Sequence, residues 1–542
     1  MSEDKSFNLN LDQGGLTRRK ILQGAGAGAL MIGGGSILAA CGGGSSSGGG
    51  ATTGGGGGGE SEGKPVAGGV LRVGAQGGSN TDSLDAHNVL TNADYARAAQ
   101  LYDALVRIDN KGQPQLVLAE SLEPNKDATE WTVKLKKGLK FHDGSPVEAK
   151  DVLYSFNRIV KGKYPGLYAL GSINMKKSKA VDPLTVTFVF DKPYSLLEEA
   201  LTLHWYLYIV PTGYNPKKPI GCGPFKLKSF TPGRESVTVK FDEYWDAPKP
   251  YLDEVKTINI AEETAQVNAL QAGQVDVVDY LTAASIATLE SSGQKVVISK
   301  SGGWVPFTMR VDKAPYSDNN LREGLRWLVD REQMNQSVFS GNGTIGNDVF
   351  GIYDKFYDKS LFPQREQDLE KAEALIKKGN AEGQTLQLIS TPNAPGMTQM
   401  PQVLKTQAEA INLSINVTIQ PTTEYFARSY LKVPFSMDYW PYAPYLVDVS
   451  QATLPGAPFS ATFFNNPTYT KLFEEASATL DEGKKGEIVH EMMKMDYDEG
   501  GYIIPIFFPV IDGVAPYVYG VEPSVTGQAL STFQFQNFWI KK

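Results

Sequence analysis

The stretch WTVKLKKGLKFHDGSPVEAKDVLYSF, from Trp131 to Phe156, carries the pattern of a strand, a turn and a helix in succession. From Trp131 to Leu135, apolar side chains alternate with polar ones, which is the period of a half-buried β-strand. His142 and Asp143 follow in Phe-His-Asp-Gly, a composition typical of a turn. The strand is therefore expected to end in a turn before the chain becomes helical.

The second half of this stretch predicts an amphipathic helix. Ser145 is followed by Pro146 and, three residues after the serine, by Glu148, the pattern of a capping box with proline at the first helical position. Val152 and Phe156 then recur at helical spacing and mark an apolar face. The helix is expected to begin at Pro146, with Ser145 as its N-cap.

The same mixture of patterns continues in both directions along the chain. Alternation predicts further strands at 71–73, 184–190, 237–241 and 413–419. Helical spacing predicts helices after Ser317, from Asp330 to Phe339, from Asp368 to Lys378, and in a segment that ends at Gly273. With 542 residues, the chain exceeds what one core organises, so an α/β protein of two or three domains with several sheets is expected.

Charge and cysteine content exclude two classes of protein. The chain has 52 Lys and Arg against 60 Asp and Glu, a net charge of −8, which argues against nucleic acid as a partner. Cys41 and Cys222 are the two cysteines, too few for a disulfide scaffold or a cysteine-rich zinc site. Cys222 is predicted to be a small, buried apolar residue.

The N-terminal segment predicts export and anchoring. The pair Arg18 and Arg19 precedes a short apolar run that ends in Leu-Ala-Ala-Cys at Cys41, the pattern of a twin-arginine signal peptide (1–40) with a lipidated cysteine. The alternative, a transmembrane anchor, is disfavoured because glycines interrupt the run. The following tract, 41–64, is rich in Gly and Ser and predicts a flexible linker.

Catalytic and metal-binding motifs have no suitable context. Gly44 to Gly48 fits G-x-S-x-G but lies in the linker, and Gly341 to Gly346 fits G-x-G-x-x-G but follows a helical pattern rather than a strand. The four histidines are far apart in sequence: His87, His142, His204 and His490. No metal site and no cofactor are predicted.

Aromatic residues offer a better binding candidate. The segment from Met437 to Tyr445 holds four aromatic rings among prolines, so it is predicted to be a loop. Rings on such a backbone suit a cleft that grips a small ligand. The alternative is that they pack in the core beneath a long loop.

Many motifs in a fixed order resemble solute-binding protein family 5, the extracytoplasmic dipeptide, oligopeptide and nickel receptors of ABC importers. Besides 131–156, the matching segments are Gly69–Val73, Ser83–Asp85, Leu101–Leu105, Gly221–Phe225, Tyr244–Trp245, Ala269–Gly273, Leu321–Arg326 and Pro505–Ile506.

The resemblance implies a two-lobed periplasmic-binding-protein-like fold of type II with an extra domain, mixed sheets and a hinge between the lobes. Lobe I would comprise 65–103, 221–305 and 499–542, the extra domain 104–220, and lobe II 306–498. Such a receptor is not an enzyme. It binds its ligand by closing, works as a monomer outside the cytoplasmic membrane, and passes the ligand to a permease and ATPase complex.

The resemblance also implies ligand contacts from both lobes. The positions that correspond to such contacts are Asn80, Thr81, Asp279, Tyr280, Trp304, Tyr439, Trp440 and Phe507. Trp440 matches the tryptophan of the Gly-Trp-x-Ala-Asp pattern, but the aspartate that pairs with a peptide's ammonium group is replaced by Ala443. Asp438 or Asp448 would have to substitute for it.

Peptide remains the leading ligand class, followed by sugars and other small polar solutes. A sensory lipoprotein with the same fold, uncoupled from transport, is another alternative. A secreted hydrolase is disfavoured because no nucleophile and base are suitably placed.

Overall fold

A computed structural model of the protein describes residues 63–541. The predicted signal peptide, Cys41 and the linker up to residue 62 lie outside the described residues. Within them the strands are β1 Val70–Ala75, β2 Val106–Ile108, β3 Pro114–Leu116, β4 Ala119–Pro124, β5 Glu130–Leu135, β6 Lys179–Asp182, β7 Thr185–Val189, β8 Phe225–Thr231, β9 Glu235–Lys240, β10 Glu254–Asn259, β11 Val277–Val278, β12 Lys295–Trp304, β13 Phe307–Met309, β14 Thr344–Ile345, β15 Thr385–Ser390, β16 Ser414–Ile419, β17 Phe435–Met437, β18 Tyr502–Ile503, β19 Ile506–Val514, β20 Val518–Tyr519 and β21 Trp539–Ile540.

Helices separate these strands along the chain. The right-handed α-helices of the described part are Asn92–Leu101, Ala149–Gly162, Leu167–Leu170, Leu197–Leu201, Glu263–Gln271, Ile286–Ser291, Asn319–Leu328, Arg331–Phe339, Leu369–Lys378, Met400–Glu409, Thr422–Glu424, Tyr445–Ala452, Pro467–Ala478 and Glu482–Glu499. A further helical segment, Ala529–Phe533, has left-handed backbone angles from Leu530 onward. Short 3₁₀ turns lie at His204–Tyr206, Ala283–Ser285, Lys359–Leu361 and Phe535–Asn537, and a π-turn lies at Tyr425–Ser429.

Two mixed sheets form the two lobes. The sheet of the first lobe has the order β12-β19-β11-β1-β10-β9-β8, with β14 paired to β19, and the sheet of the second lobe has the order β16-β15-β17-β13-β18. A separate antiparallel sheet, β4-β5-β7-β6, and the ribbons β2-β3 and β20-β21 complete the described fold. The protein is thus a two-lobed α/β structure, as predicted.

Two chain segments cross between the lobes. β12 leads through Val305 and Pro306 into β13, and β18 leads through Ile504 and Pro505 into β19. In each segment one strand belongs to the first-lobe sheet and the other strand belongs to the second-lobe sheet. These two connections are therefore the structural hinge.

The predicted strands and most predicted helices are present, but the helix near residue 145 begins later. It spans Ala149–Gly162, with Glu148 at the N-cap and Asp151 completing a capping box. The Val147 amide donates to the Leu139 carbonyl, and the Ser145 hydroxyl donates to Asp143. The chain is therefore held extended through Val147, and the prediction of Ser145 as the N-cap and Pro146 as the first helical residue is wrong.

Candidate functional site

Trp304 stands at the hinge, at the end of β12 in the first lobe. Its ring is fully buried and stacks between Phe350, with ring centroids 4.9 Å apart, and Trp440, at 5.5 Å. The backbones of Trp304 and Trp440 exchange two hydrogen bonds of 2.9 Å. Phe507 faces Trp304 across β12 and β19 and is also buried. The structure thus brings together three predicted ligand residues, inside an apolar cluster at the hinge.

The other rings of the predicted aromatic loop divide between core and cleft. Residues 438–444 form a loop, as predicted. Tyr442 and Tyr445 are buried like Trp440, whereas Tyr439 is half-buried. The alternative of core packing therefore describes most of these rings, and Tyr439 is the one that retains access to solvent.

Tyr439 belongs to a group of four half-buried tyrosines, Tyr95, Tyr206, Tyr280 and Tyr439, which we call the tyrosine cluster. The hydroxyls of Tyr95 and Tyr206 lie 2.7 Å apart. Burial raises the pKa of Tyr95 well above its usual value, and the phenols of Tyr206, Tyr439 and Tyr280 raise it further. Burial raises the pKa of Tyr280 well above its usual value, Asp279 and Asp512 raise it further, and Tyr439 adds to this rise. Tyr95 is therefore poorly hydrated and bonded to Tyr206, and the phenols of Tyr439 and Tyr280 lie near enough to it to interact electrostatically.

The four members of the cluster come from different parts of the fold. Tyr95 lies on the helix Asn92–Leu101 and Tyr280 follows β11, both in the first lobe. Tyr439 follows β17 of the second lobe, and Tyr206 lies in the 3₁₀ turn His204–Tyr206. Half-buried side chains from both lobes are what a ligand cleft between the lobes requires, so the tyrosine cluster is the candidate site. Phenol rings offer such a cleft both apolar faces and hydrogen-bonding hydroxyls.

Sequence reasoning missed Tyr95 and Tyr206. Neither lies in a motif that carries the family resemblance, and the chain has 25 tyrosines, so residue type alone gives no signal. A half-buried phenol becomes distinctive only when its neighbours in space are known.

Asp279 lies beneath the cluster rather than on its surface. It is fully buried, and its Oδ1 accepts hydrogen bonds from the Gln76 amide, at 2.7 Å, and from Gln266 Nε2, at 2.8 Å. Burial raises its pKa to about 7. Asp279 is therefore placed to support the wall that carries Tyr280.

Asp438 and Asp448, the candidate ammonium partners, are both buried. Asp438 accepts hydrogen bonds from the Tyr439 amide, at 2.8 Å, and from the Tyr430 hydroxyl, at 3.2 Å. Asp448 lies on the helix Tyr445–Ala452. Burial raises the pKa of Tyr442, and the charges of Asp354 and Asp448 add to this rise. Ala443, at the position of the missing aspartate, is buried as well.

Asn80 and Thr81 have exposed side chains. Their loop is held by Asp82, which accepts hydrogen bonds from the Ser79 amide, at 2.6 Å, and from Arg97, at 3.0 Å. The loop also approaches Gly233 in the turn between β8 and β9. These contacts join the loop to the first-lobe sheet, and a role of Asn80 and Thr81 in ligand binding stays a prediction.

The four histidines and Cys222 are engaged in burial or hydrogen bonding within the fold. Burial lowers the pKa of His87 and His142 to about 4 and that of His204 to about 3, and His490 is hydrogen-bonded to the Phe356 carbonyl. Cys222 is a free, buried thiol whose pKa is raised by burial.

Among residues 63–541, no group of three or more potential ligands is arranged to hold a metal. In the same range, no helix has both the length and the apolar character needed to cross a membrane.

Comparisons with known proteins agree with this architecture. Residues 113–470 match the family described as bacterial extracellular solute-binding proteins, family 5 middle. The probable D,D-dipeptide-binding periplasmic protein DdpA of Escherichia coli K12 is 25% identical over 456 residues, which cover 78% of this chain and 86% of that protein. The oligopeptide-binding protein AppA of Bacillus subtilis 168 is 30% identical over 352 residues, covering 60% of this chain and 62% of AppA.

A solved structure shows the same fold. The ABC transporter substrate-binding protein CtaP of Listeria monocytogenes superposes with a TM-score of 0.77 at 19% identity, covering 88% of this chain and all of that chain. The two-lobed fold and the family match lead to the same assignment. The chain belongs to the bacterial extracellular solute-binding proteins of family 5, the substrate-binding components of ABC importers, and it is a binding protein rather than an enzyme.

Proposed function

We propose that the protein captures a peptide, or a similar small solute, at the tyrosine cluster and delivers it to a membrane permease with its ATPase. The observation that carries this proposal is that half-buried phenols from both lobes interact with one another, with Tyr95 bonded to Tyr206 and influenced by Tyr280 and Tyr439. The named ligands of two relatives, a D,D-dipeptide and oligopeptides, support peptide as the ligand class. A structure of Bacillus subtilis AppA, with a TM-score of 0.71, holds a nonapeptide.

The proposed capture is a hinge motion. We assign 65–103, 221–305 and 499–542 to lobe I, 104–220 to the extra domain and 306–498 to lobe II. A ligand that contacts Tyr280 of one lobe and Tyr439 of the other binds the closed form more tightly, and so shifts the population toward it. The buried stack of Trp304 and Trp440 holds the two lobes in register at the crossover.

The mode of peptide recognition would differ from the usual one in this family. Ala443 cannot pair with an ammonium group, and the oxygens of Asp438 already accept hydrogen bonds within the second lobe. Backbone and side-chain groups of the ligand would instead meet the hydroxyls and ring faces of the tyrosine cluster. The same surface favours a sugar as the second candidate, since rings with hydroxyls suit stacking and hydrogen bonding to such a ligand.

We further propose that a lipid on Cys41 tethers a monomeric receptor to the outer face of the cytoplasmic membrane. The spacer up to residue 64 would then keep the receptor near its permease at high effective concentration. A variant with Cys41→Ser should leave the membrane fraction and appear in the medium or periplasm. Retention of this variant on membranes would contradict the anchor.

Thermal unfolding of the protein against trialanine, N-acetyl-trialanine and cellobiose tests the ligand class, because a ligand that binds only the folded form raises Tm. We expect trialanine and its acetylated form to raise Tm similarly. A rise with cellobiose alone would transfer the assignment to sugars. A rise that disappears on acetylation would mean that a carboxylate still holds the ammonium group.

Substitutions in the cluster test the location of the site. Tyr95→Phe and Tyr206→Phe each remove a hydroxyl and should weaken the ligand-dependent rise in Tm. Tyr519→Phe is the matched control, because Tyr519 stacks on Trp539 in the β20-β21 ribbon. Equal ligand response in all three variants would place the site elsewhere.

A further inference from the structure

The segment after Gly527 contains an unusual backbone conformation. Four successive residues other than glycine, Leu530 to Phe533, have φ angles of 47°, 54°, 63° and 55°, so the chain makes a left-handed turn. Each such residue costs free energy because its Cβ crowds the following carbonyl oxygen. A run of four persists only where the surroundings determine the conformation, and strain of this kind concentrates at functional sites.

Buried polar groups compensate this turn. The Leu530 amide donates to Asp512 Oδ2 at 2.7 Å. The Ser531 hydroxyl accepts from the Glu522 amide at 2.7 Å and donates to the Glu522 carbonyl at 2.9 Å. The Thr532 hydroxyl lies 3.2 Å from that of Thr526. The turn is therefore held from several sides, and its first amide depends on one carboxyl group.

The same carboxyl group and the same segment hold Tyr280 of the tyrosine cluster. The Tyr280 amide donates to Asp512 Oδ1 at 3.4 Å, and the Tyr280 hydroxyl donates to the Gly527 carbonyl at 2.7 Å. Tyr280 is itself in the left-handed region, with φ of 49°. Asp512 thus links the backbone of Tyr280 to the turn. The Gly527 carbonyl, at the start of the same segment, accepts the hydrogen bond of the phenol.

The left-handed turn also lies against a second member of the cluster. Leu530 and Phe533 are buried in the large apolar core against which Tyr95 and Tyr280 pack. The turn contacts both β19 and the helix Asn92–Leu101, which carries Tyr95. A shift of this turn would therefore be transmitted to two of the four phenols.

We propose that Asp512 is a positioning residue that, through the left-handed turn Leu530–Phe533, fixes the phenol of Tyr280 for ligand binding. The proposal rests on the proposed function of the tyrosine cluster. A phenol that is already fixed before the ligand binds loses less conformational entropy on binding. This pre-organisation increases the affinity for the ligand. Asp512 is buried, with 1% of its surface exposed, and acts on the ligand only through Tyr280.

The first test requires no ligand. In protein labelled with 3-fluorotyrosine, Tyr280→Phe identifies the ¹⁹F resonance of residue 280. Asp512→Asn should shift or broaden this resonance, because its amide nitrogen faces a backbone N–H where the carboxyl oxygen accepted a bond. The matched control is Asp496→Asn, a buried carboxyl of the second lobe that bonds Tyr445 and Tyr469. An unchanged resonance in Asp512→Asn would overturn the proposal.

Hydrogen exchange supplies a second measurement in case Asp512→Asn does not fold. Tyr280→Phe leaves the carboxyl group in place but removes the bond to the Gly527 carbonyl. Amides of a peptide spanning 527–534 should then exchange several-fold faster than in the wild type. Exchange at the wild-type rate would show that turn and phenol are not coupled, and would contradict the positioning role.

The ligand arm uses trialanine as the probe, at a temperature where every variant is folded. Asp512→Asn and Tyr280→Phe should each raise Kd about five- to tenfold, and the double variant should raise it no further, since both remove one arrangement. Lower stability of Asp512→Asn with an unchanged Kd would assign it a structural role alone. If trialanine fails to bind wild-type protein while the fluorine and exchange results stand, the proposed ligand fails and the positioning of Tyr280 does not.

Discussion

Neighbouring aromatic residues of the loop after β17 lie in different surroundings. Trp440 is buried and stacks on Trp304, whereas Tyr439 is half-buried in the tyrosine cluster. The proline-rich sequence predicts the loop. Which ring turns into the core depends on packing against Trp304, which lies far away in sequence, at the crossover from β12 to β13. Sequence reasoning could therefore select both residues and could not separate packing from ligand contact.

Alanine substitutions separate these two roles. Trp440→Ala should lower the free energy of unfolding by about 3 to 5 kcal/mol, because it leaves a cavity in the hinge cluster. Tyr439→Ala should cost less stability and weaken ligand binding more. Urea unfolding and ligand titration measure the two effects. Wild-type stability of Trp440→Ala with lost binding would reverse the assignment.

Asp496 gives the protein a pH-dependent contribution to stability. Its Oδ2 accepts hydrogen bonds from Tyr445 and Tyr469, and burial raises its pKa to about 7. An unfolded aspartate titrates near 4, so the folded protein holds this proton more tightly. The contribution is full below about pH 4 and is lost as the pH rises through about 7.

Asp496→Asn should remove this dependence, since the amide oxygen still accepts from the phenols and carries no proton to lose. The stability of the variant relative to wild type should therefore increase between about pH 5 and pH 8. Urea unfolding at several pH values measures the difference, in which other titrating groups cancel. A difference that stays constant over this range would show that Asp496 is already ionised at pH 5.

At the scale of elements, local patterns predict what local interactions determine. The strand at 131–135 and the helix Leu369–Lys378 follow their apolar periodicity. The start of the helix Ala149–Gly162 instead depends on the bond from Val147 to Leu139. The left-handed turn at Leu530–Phe533 contains no glycine, and the carboxyl group that holds it lies in β19. Neither feature has a signature within its own segment.

The capping of the helix Ala149–Gly162 can be tested directly. Asp151 accepts from the Glu148 amide at 3.0 Å and from the Thr212 amide at 2.9 Å. Asp151→Ala should cost about 1 to 2 kcal/mol, because it removes the capping box and leaves two part-buried backbone donors without acceptors. Ser145→Ala, at the wrongly predicted start, should change stability by less than about 0.5 kcal/mol. Chemical unfolding of both variants gives the comparison, and a larger loss in Ser145→Ala would restore the earlier start.

At the scale of the whole molecule, the order of many short motifs predicts the family and the two-lobed fold. The tyrosine cluster could not be predicted in the same way, because Tyr95 and Tyr439 are brought together only by the assembly of both lobes. The comparison with the family establishes the two-lobed fold but does not identify which residues of this chain line the ligand site. Ligand class is therefore the property that sequence motifs predict least.

The region 104–220 also contacts the second lobe away from the tyrosine cluster. The Ser195 amide donates to the Ser477 carbonyl at 2.6 Å. Lys355 lies 3.2 Å from Glu199 of that region and 2.5 Å from Glu482 of its own lobe. None of these contacts involves a member of the tyrosine cluster. We therefore expect them to favour the closed arrangement of the lobes without touching the solute.

Lys355→Gln should therefore raise the ligand Kd a few-fold by making closure less favourable. Its effect on unfolding should stay below about 1 kcal/mol, because a partly exposed ion pair is weak and screened by salt. Lys377→Gln is the control, since Lys377 pairs with Glu382 within the second lobe. Small-angle scattering should show a larger radius of gyration for Lys355→Gln with ligand at a subsaturating concentration. Identical affinity and scattering in both variants would mean that the charge pair between Lys355 and Glu199 does not contribute to closure.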